Sequence, residues 1–424
     1  MSRYRVILLL FIVTLVGALG SGKALWWSFA GALFALLAVS IVWAWLGVNW
    51  LRISRRTLTR VAQVGQTLDE EFVLTNLSRI PKLWTEVRDF STLPGHYASR
   101  VIGWVGSQQW RGWRISTFCS RRGRFTLGPL LVRSGDPIGI YQMERPLNRI
   151  NSILVYPAVW PLNDFPLPGG HLPGGEALRR RTHYVTTNAA GVRDYMNGDE
   201  MNRIHWPLSI KRQRLTVKEF ELDPMSEIWI MMDLESTAQV RLSAYGSSDG
   251  GLTETAPSTP RTFILPPWTE EYVISASAST AQYFLKQDRA IGLLSYSTHR
   301  EVLASDRGER QLNKIMELLS VLQAKGSVPF ERVLRAEGAL LPRGATVIAI
   351  SASTDVNWAL SVQQMTRSGL RVVAIVVDGE SFGGHQPAAP LIGALAEAGA
   401  VVRVLRRGQT LADAIEQPIA IPGS

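Results

Sequence analysis

Polar side chains that could carry chemistry are concentrated in one short stretch of the chain, residues 191–212. They are Arg193, Asp199, Arg203, His205 and Ser209. Ser209 and His205 are four residues apart with no visible orienting acid or oxyanion hole, so their spacing does not favour a nucleophile with its base. Paired Arg and Asp side chains are more often structural, so we expect the first four residues to form an ion-pair network with Trp206 packed beneath. The alternative is a docking surface, in which Arg side chains and an aromatic anchor form a binding hot spot.

A pair of carboxylates follows a continuous apolar run, Ile228–Met232, at the point where that run ends. Asp233 comes directly after the run and Glu235 two residues later. Two carboxylates at a strand end can act as an acid/base pair or contribute to a metal site. The six histidines of the chain show no metal-ligand spacing. The chain also contains no complete Gly-x-x-x-x-Gly-Lys-Ser/Thr motif, so it is not expected to be a P-loop ATPase.

The elements that must position these carboxylates alternate between strand and helix patterns from residue 226 to residue 424. Apolar runs predict strands at residues 228–232, 291–296, 346–351, 371–378 and 401–405. Helical periodicity predicts helices at residues 271–286, 312–322, 356–367 and 391–398. This order predicts a doubly wound, mostly parallel, Rossmann-like sheet that binds ligands at the C-terminal strand ends. The polar, turn-rich residues 236–268 are expected to form an insertion in it.

Upstream of this α/β domain, residues 60–157 show a period-two pattern with turns at Pro and Gly. Trp113, Ile115, Thr117 and Cys119 share one face of one such run. Short alternating strands at this spacing predict a small antiparallel β-sandwich, an all-β domain that serves as a spacer or docking module. Residues 158–225, which begin with a Pro- and Gly-rich stretch, are expected to form a linker that includes the polar segment described above.

The N-terminus, residues 1–52, carries two charge-free apolar stretches. They lie at about residues 6–22 and 24–50, with Lys23 between them, and predict two membrane-spanning helices joined by a tight turn. Basic residues flank both ends of this hairpin, so the positive-inside rule predicts that both ends, and the soluble domains, are cytoplasmic. The rival interpretation is a signal peptide cleaved after Gly20, which the second span disfavours.

The charge distribution and the cysteine content restrict the environment further. Of the formal net charge of +10, most comes from residues 1–60, which hold no acid. Basic residues beside apolar segments usually meet lipid headgroups, so membrane lipid is expected as a partner and nucleic acid is not. The single cysteine, Cys119, cannot form an internal disulfide, which is typical of a reducing compartment.

Two sequence motifs resemble the domain of unknown function 58 family (DUF58). The downstream motif lies within residues 191–212, and the upstream one is Arg122-Gly-Arg-Phe-Thr-Leu-Gly-Pro with the later Asp136-Pro-Ile-Gly. Nine residues match the family's signature: Arg193, Tyr195, Gly198, Asp199, Arg203, Ile204, His205, Trp206 and Ser209. The resemblance implies a von Willebrand factor A-like C-terminal domain and frequent pairing with a MoxR-type AAA+ ATPase. It implies no established catalytic activity.

A von Willebrand factor A-like domain further implies a Mg²⁺ site built on a strand-end Asp-x-Ser-x-Ser. Asp233 matches the first position, Glu235 replaces the first Ser, and Thr237 supplies the second hydroxyl. Ala352 stands where a later acid belongs, with Ser353 or Asp355 as substitutes. A closed fold with no cofactor is therefore the favoured expectation, and a Mg²⁺ site at Asp233, Glu235 and Thr237 is the alternative.

Together these features predict a multi-pass protein of the bacterial inner membrane with cytoplasmic soluble domains. Its expected role is that of a non-enzymatic interaction or scaffold protein, working with a MoxR-type ATPase in envelope assembly or maturation. The alternative is a metal-dependent enzyme of envelope biogenesis that uses Asp233 and Glu235.

Overall fold

The computed structural model of the chain describes residues 3–59, 61–167, 189–194, 206–220, 227–242 and 265–416. The chain forms two compact units, with the main boundary between Val159 and Trp160. The first, called the β unit, carries the N-terminal helices and three small sheets. The second, called the α/β unit, carries a six-stranded sheet and most of the remaining helices.

Two helices open the chain because a long apolar run is interrupted only by a short turn. Helix α1 is Arg3–Ser21 and helix α2 is Ala24–Val48. Between them Gly22 adopts a φ of 65°, which glycine accommodates without strain. Both helices are long and apolar enough to cross a membrane. Helix α2 ends two residues earlier than predicted, because Trp50 takes up left-handed backbone and the next residue begins a strand.

Ten strands are described in the β unit, and they form three sheets. They are β1 (Leu51–Thr57), β2 (Ala62–Gln63), β3 (Thr67–Asn76), β4 (Lys82–Asp89), β5 (Arg100–Val105), β6 (Trp110–Phe118), β7 (Gly123–Leu127), β8 (Leu130–Gly135), β9 (Gln142–Leu147) and β10 (Asn151–Tyr156). The sheet orders are β1-β3-β6, β2-β10-β7 and β5-β4-β8-β9. The described pairs are antiparallel apart from β2 with β10. In the core the rings of Phe72 and Trp113 stack with their centroids 5.3 Å apart.

Strand β1 corrects the expectation for the basic cluster that follows the hairpin. Leu51 and Ile53 are buried and alternate with exposed Arg52, and the strand pairs with β3 along its whole length. The β fold therefore begins at residue 51 and not at residue 60. The side chain of Arg55 is only 8 % exposed and pairs with buried Glu70, so it does not face lipid headgroups. The sequence pattern did not predict β1, because three of its seven residues are arginines. The ion pair of Arg55 with Glu70, which allows an arginine in the strand interior, depends on the tertiary structure.

The α/β unit is built on six strands, five of which the apolar runs predicted. They are β13 (Ile228–Met232), β14 (Ile291–Tyr296), β15 (Arg300–Asp306), β16 (Thr346–Ser351), β17 (Arg371–Val377) and β18 (Val401–Leu405). The helices of this part of the chain are α4 (Thr269–Lys286), α5 (Gly308–Val321), α6 (Phe330–Gly338), α7 (Asn357–Arg367), α8 (Ala389–Glu397) and α9 (Leu411–Glu416). A small antiparallel pair, β11 (Ala189–Asp194) with β12 (Thr216–Phe220), and helix α3 (Trp206–Arg212) precede them.

The six strands form a mixed sheet in the order β15-β14-β13-β16-β17-β18. Five strands are parallel, and β15 runs antiparallel at one edge. Helices α6, α7 and α8 share one apolar cluster with the sheet, in which Trp358 is fully buried. Helix α4 packs on the same strands outside this cluster, which places it on the opposite face. The predicted α/β layering is confirmed, whereas β15, α6 and α9 were not predicted.

Candidate functional site: a cleft at the ends of the parallel strands

Asp233 follows strand β13 directly and is almost completely buried, with 2 % of its surface exposed. Its Oδ2 accepts a hydrogen bond from Ser351 Oγ at 2.6 Å, and its Oδ1 accepts one from the backbone N–H of Glu235 at 2.9 Å. Ser351 ends β16, the parallel neighbour of β13, so the two residues meet at the same sheet edge. Burial raises the pKa of Asp233 to about 6, against the lowering effect of these two hydrogen bonds.

Glu235 and Thr237, the other two predicted metal ligands, bind each other. Thr237 Oγ1 donates to Glu235 Oε1 at 2.6 Å. Together with the bonds to Asp233, this means that each of the three predicted ligands uses at least one side-chain oxygen in a hydrogen bond within the protein. The described residues include no group of three or more His, Cys, Asp or Glu that could hold a metal ion. The arrangement therefore does not fit a hard-cation site built mainly on carboxylates. Metal independence itself stays a prediction.

Gly326 fixes the backbone around the strand end. Its N–H donates to Leu234 O at 2.8 Å, and its carbonyl accepts from Ser236 N at 2.9 Å. A Cβ on Gly326 would lie 2.8 Å from Leu234 O and closer still to Tyr296 O. Only glycine fits at this close approach of main chains, so the Lys-Gly-Ser stretch is held directly beside the Asp233 loop.

A cleft of about 880 Å³ opens in the α/β unit outside the strand ends. Its walls are the loops after β13, β16 and β17 together with the start of α6. Side chains that line it include Glu235, Thr237, Arg241, Asp355, His385 and Gln386. This is the edge of an open α/β sheet at which ligands are expected to bind. The lining is mainly polar, and it offers carboxylates, a guanidinium, hydroxyls and amides for hydrogen bonding.

Glu270 organises one wall of the cleft, a role that the sequence did not reveal. In the structure Glu270 Oε2 accepts from Arg241 Nη2 at 2.6 Å, and Oε1 accepts from the backbone of Ala324 at 3.1 Å. Arg241 also lies over the ring of Trp268, 5.5 Å from its centroid. The ion pair therefore ties the loop after β13 to the start of α4.

The signature segment is described only in part. Tyr195, Gly198, Asp199, Arg203 and His205 lie outside the described residues, so the predicted network stays a prediction. Arg193 lies in strand β11, of which only the backbone is described. Trp206 begins α3 with 56 % of its surface exposed. The segment beneath which it was expected to pack lies outside the described residues, so that contact stays a prediction.

Ser209 has a structural role in the described residues. It is buried, its Oγ accepts from Thr216 N at 2.9 Å, and it donates to Thr216 O at 3.3 Å. These two bonds tie the middle of α3 to the start of β12. A hydroxyl engaged by a backbone in both directions is poorly suited to act as a nucleophile. The pairing of Ser209 with His205 itself lies outside the described residues.

Fold and cleft together define a mixed α/β protein with a polar cleft at its strand ends and two N-terminal apolar helices. Residues 191–250 match the family model "Protein of unknown function DUF58". This match confirms the resemblance drawn from the signature segment, and it also contains Asp233, Glu235 and Thr237. The von Willebrand factor A-like fold is taken up as a proposal below.

Individual proteins show weaker similarity. The uncharacterized protein YeaD of Bacillus subtilis (strain 168) is 22 % identical over 217 residues, 51 % of this chain and 47 % of that protein. The chain thus spans about half the length of this relative. The solved structure of the conserved hypothetical protein BatB from Bacteroides thetaiotaomicron covers 45 % of this chain and 95 % of its own, at 9 % identity and a TM-score of 0.29. The match to the CARDB domain of the Pyrococcus furiosus protein PF1109 covers 25 % of this chain and 91 % of that domain, at 16 % identity and a TM-score of 0.19.

Proposed function

We propose that this chain is a membrane-anchored, non-enzymatic interaction protein whose α/β unit receives a partner in the cleft at its strand ends. The proposed partner is a MoxR-type AAA+ ATPase, and the proposed setting is envelope assembly or maturation at the bacterial inner membrane, with both units in the cytoplasm. The C-terminal domain is proposed to be von Willebrand factor A-like. The mixed sheet with its single antiparallel edge strand supports that assignment.

The proposal of a non-enzymatic role rests on the hydrogen bonds that the side chains at the strand ends make within the protein. Asp233 is buried and bonded to Ser351, while Glu235 accepts from Thr237. Ser209, the serine weighed as a nucleophile, is engaged by the backbone of Thr216. These side chains hold loops in place, and the loops in turn present a polar cleft with fixed walls. A pre-formed polar groove of this kind suits recognition of a partner segment.

Tethering is supported by how helix α2 is attached to the β unit. Ser40 Oγ donates to Asp136 Oδ2 at 3.4 Å, and Lys82 Nζ donates to the carbonyl of Leu46. Gly47 approaches Ser134 so closely that a Cβ there would lie 2.6 Å from the hydroxyl oxygen. The last turns of α2 are therefore part of the β unit's packing. A hairpin that spans the bilayer would hold this unit rigidly at the membrane surface.

Site-specific photo-crosslinking from the cleft tests the interaction. A benzophenone amino acid replaces Asp355, which lines the cleft just after β16, in the full chain expressed in cells that contain a MoxR-type ATPase. The control position is Leu340, which is exposed and precedes the N-terminal end of β16, at the opposite end of the strand from Asp355. We expect the ATPase in the crosslinked product from position 355 and not from position 340. Equal crosslinking from both positions, or none from either, would reject the cleft as the docking site.

A second candidate function rests on the pKa of Asp233. A buried carboxylate with a pKa raised to about 6 is also typical of acid/base residues. The corresponding proposal is a metal-dependent envelope-biogenesis enzyme in which Asp233 and Glu235 act together. An enzyme of that kind should lose its activity on addition of chelator and in the Asp233→Ala variant, whereas a recruitment protein should keep its partner under the same chelator.

A further inference from the structure

The end of helix α2 is only half covered by protein. Ser40, Ala44 and Val48, at four-residue spacing, are buried on one face of the helix. On the other face of the same turns, Ile41, Val42 and Trp45 are exposed. An exposed apolar stripe beside a packed sheet is unfavourable in water. In an anchored protein, lipid would cover this stripe, which would bring the bilayer up alongside the β unit as far as Trp45.

The length of the hairpin leads to the same conclusion. From Ala24 to Val39, ahead of the turns that pack on the β unit, α2 rises about 24 Å at about 1.5 Å per residue. A bilayer's hydrocarbon core is about 30 Å thick. The bilayer must therefore thin, or its surface must reach the part of α2 that packs against the β unit. The second solution requires the adjacent end of the β unit to tolerate lipid.

That end of the β5-β4-β8-β9 sheet is rich in exposed apolar side chains. β4 starts there, β5 ends there, and β8 ends there in the loop 136–141. Four exposed residues at this end, called here the membrane rim, are Trp50, Trp84, Trp104 and Ile138. Trp104 lies opposite Leu83 near the start of β4, and the ring of Trp84 would lie 3.6 Å from a Cβ on Gly135. Tryptophan is the residue enriched at membrane–water interfaces.

Contacts between the rim and the hairpin bring the two to the same depth. The loop that carries Ile138 contacts the start of α1: a Cβ on Gly139 would lie 3.0 Å from Arg3 Nη1, and the rings of Tyr4 and Tyr141 meet edge to face at 5.9 Å. Lys82 Nζ lies 5.7 Å from the centroid of the Trp50 ring. Arg3 and Arg5, both exposed, supply positive charge for anionic headgroups at this level.

We propose that the β unit is itself a membrane-interface domain, with Trp84, Trp104 and Ile138 inserted among the lipid headgroups beside the hairpin. The proposal rests on the membrane anchoring proposed above and adds a lipid-binding surface to it. The rim binds the anionic phospholipid surface of the leaflet that holds the helix termini. The opposite end of the same sheet, where Ile150 follows β9, stays in water.

Depth-dependent quenching tests this placement in the full chain. The chain's single cysteine, Cys119, is completely buried, so a fluorescent label attaches to an introduced thiol. Ile138→Cys probes the rim, and Ile150→Cys is its matched control, since both isoleucines are exposed, at 64 % and 59 %. Leu9→Cys, in the middle of α1, reports the hairpin itself. Each labelled chain is reconstituted into phosphatidylethanolamine–phosphatidylglycerol vesicles that carry nitroxide lipids, labelled either at the headgroup or along the acyl chain.

We expect headgroup nitroxides to quench the label at position 138 and leave the label at position 150 unchanged, while acyl-chain nitroxides quench the label at position 9. Quenching at position 9 with none at position 138 would overturn the membrane rim and leave the anchored hairpin standing. Absence of quenching at position 9 would reject the anchoring on which the proposal rests. Equal quenching at positions 138 and 150 would show loose contact of the whole unit with lipid and would also reject the rim.

Discussion

Ser351 donates its hydroxyl hydrogen to Oδ2 of Asp233 across 2.6 Å, and so joins the ends of two neighbouring parallel strands. Despite this bond, burial raises the pKa of Asp233 to about 6, because the carboxylate has no counter-charge bonded to it among the described residues. The bond is thus the main compensation for a buried negative charge. It also uses one of the lone pairs that a metal ion would need.

The first prediction concerns pH. A folded pKa of about 6 lies above the unfolded value, so the folded chain binds the extra proton between about pH 4 and pH 6. The contribution of Asp233 to the stability of the α/β unit should therefore be greatest below about pH 4. Its contribution to the free energy of unfolding should fall by about 3 kcal/mol as the pH rises from there through about 6, because Asp233 loses its proton. Denaturant melts of Asp233→Asn should lack this slope. A slope identical to that of the unsubstituted chain would assign it to another group.

The second prediction concerns metal. We expect the full chain in detergent to keep its melting temperature in excess chelator, because Asp233 accepts from Ser351 and from the backbone of Glu235, while the Glu235 side chain accepts from Thr237. Added Mg²⁺ or Mn²⁺ should also leave the melt unchanged. An upward shift with either ion that disappears in Asp233→Ala would establish a metal site in the cleft.

The third prediction concerns the buried ion pair of the β unit. Arg55 donates to both carboxylate oxygens of Glu70, at 2.7 and 2.8 Å, and Asp89 and His96 complete the cluster. Removing Arg55 leaves buried carboxylates without their cation, so Arg55→Ala should cost about 3–5 kcal/mol. Arg52→Ala is the matched control, because Arg52 is exposed on the same strand and should cost less than about 0.5 kcal/mol. Similar urea midpoints for the two variants would contradict a buried pair.

Asp89 adds a pH signature of opposite sign to that of Asp233. Burial acts to raise its pKa, but hydrogen bonds from His96 and Ser91 and the charge of Arg55 outweigh it, so the pKa of Asp89 is lowered. A lowered folded pKa contributes stability above the unfolded value, which is lost as the pH falls through the folded value. The β unit should therefore weaken in acid below about pH 4. The Asp89→Asn variant should lack this acid-dependent loss.

The fourth prediction compares two glycines. Gly326→Ala forces a Cβ against the main-chain oxygens of Leu234 and Tyr296, so it should destabilise the α/β unit by about 1–3 kcal/mol and disturb the cleft. Gly393→Ala, in α8, meets open space and should stabilise the chain by about 0.5–1 kcal/mol through helix propensity. Thermal melts of the two variants should therefore shift in opposite directions. Shifts in the same direction would show that the close approach at Gly326 is relaxed in solution.

The fifth prediction concerns topology. A reporter fused after Ser424 should indicate the cytoplasm, because Arg3, Arg5 and Arg52 flank the hairpin on one side and oppose translocation. The burial of Arg55 removes one charge from that count but leaves the excess in place. Alkaline phosphatase activity from the fusion would place the soluble units outside the cytoplasm and reject the proposed cytoplasmic setting.

Much of the architecture follows from local pattern. The charge-free stretches predicted α1 and α2, and the apolar runs predicted β13, β14, β16 and β18 with the bounds that the structure has. These elements can be predicted from the sequence because a helix or a buried strand requires a characteristic spacing of apolar residues along the chain. The position of Asp233 at a strand end follows from the same pattern, and the sheet edge at which ligands bind follows from the βαβ order.

Side-chain partners depended on the tertiary structure. The sequence itself determined which residues are polar and where strands end, but Asp233 and Ser351 are 118 positions apart and meet only because their strands are neighbours. The sequence predicted that the basic residues after the hairpin, Arg55 among them, contact lipid headgroups. In the structure β1 pairs with β3, and the Arg55 side chain pairs with Glu70. The sequence predicted that the last turns of α2 belong to a membrane-spanning helix. Only the structure shows that these turns pack on Ser134 and Asp136 of the β unit. Local periodicity specifies an element's type, whereas the desolvation and pairing of a charge depend on which distant residues the fold brings to it.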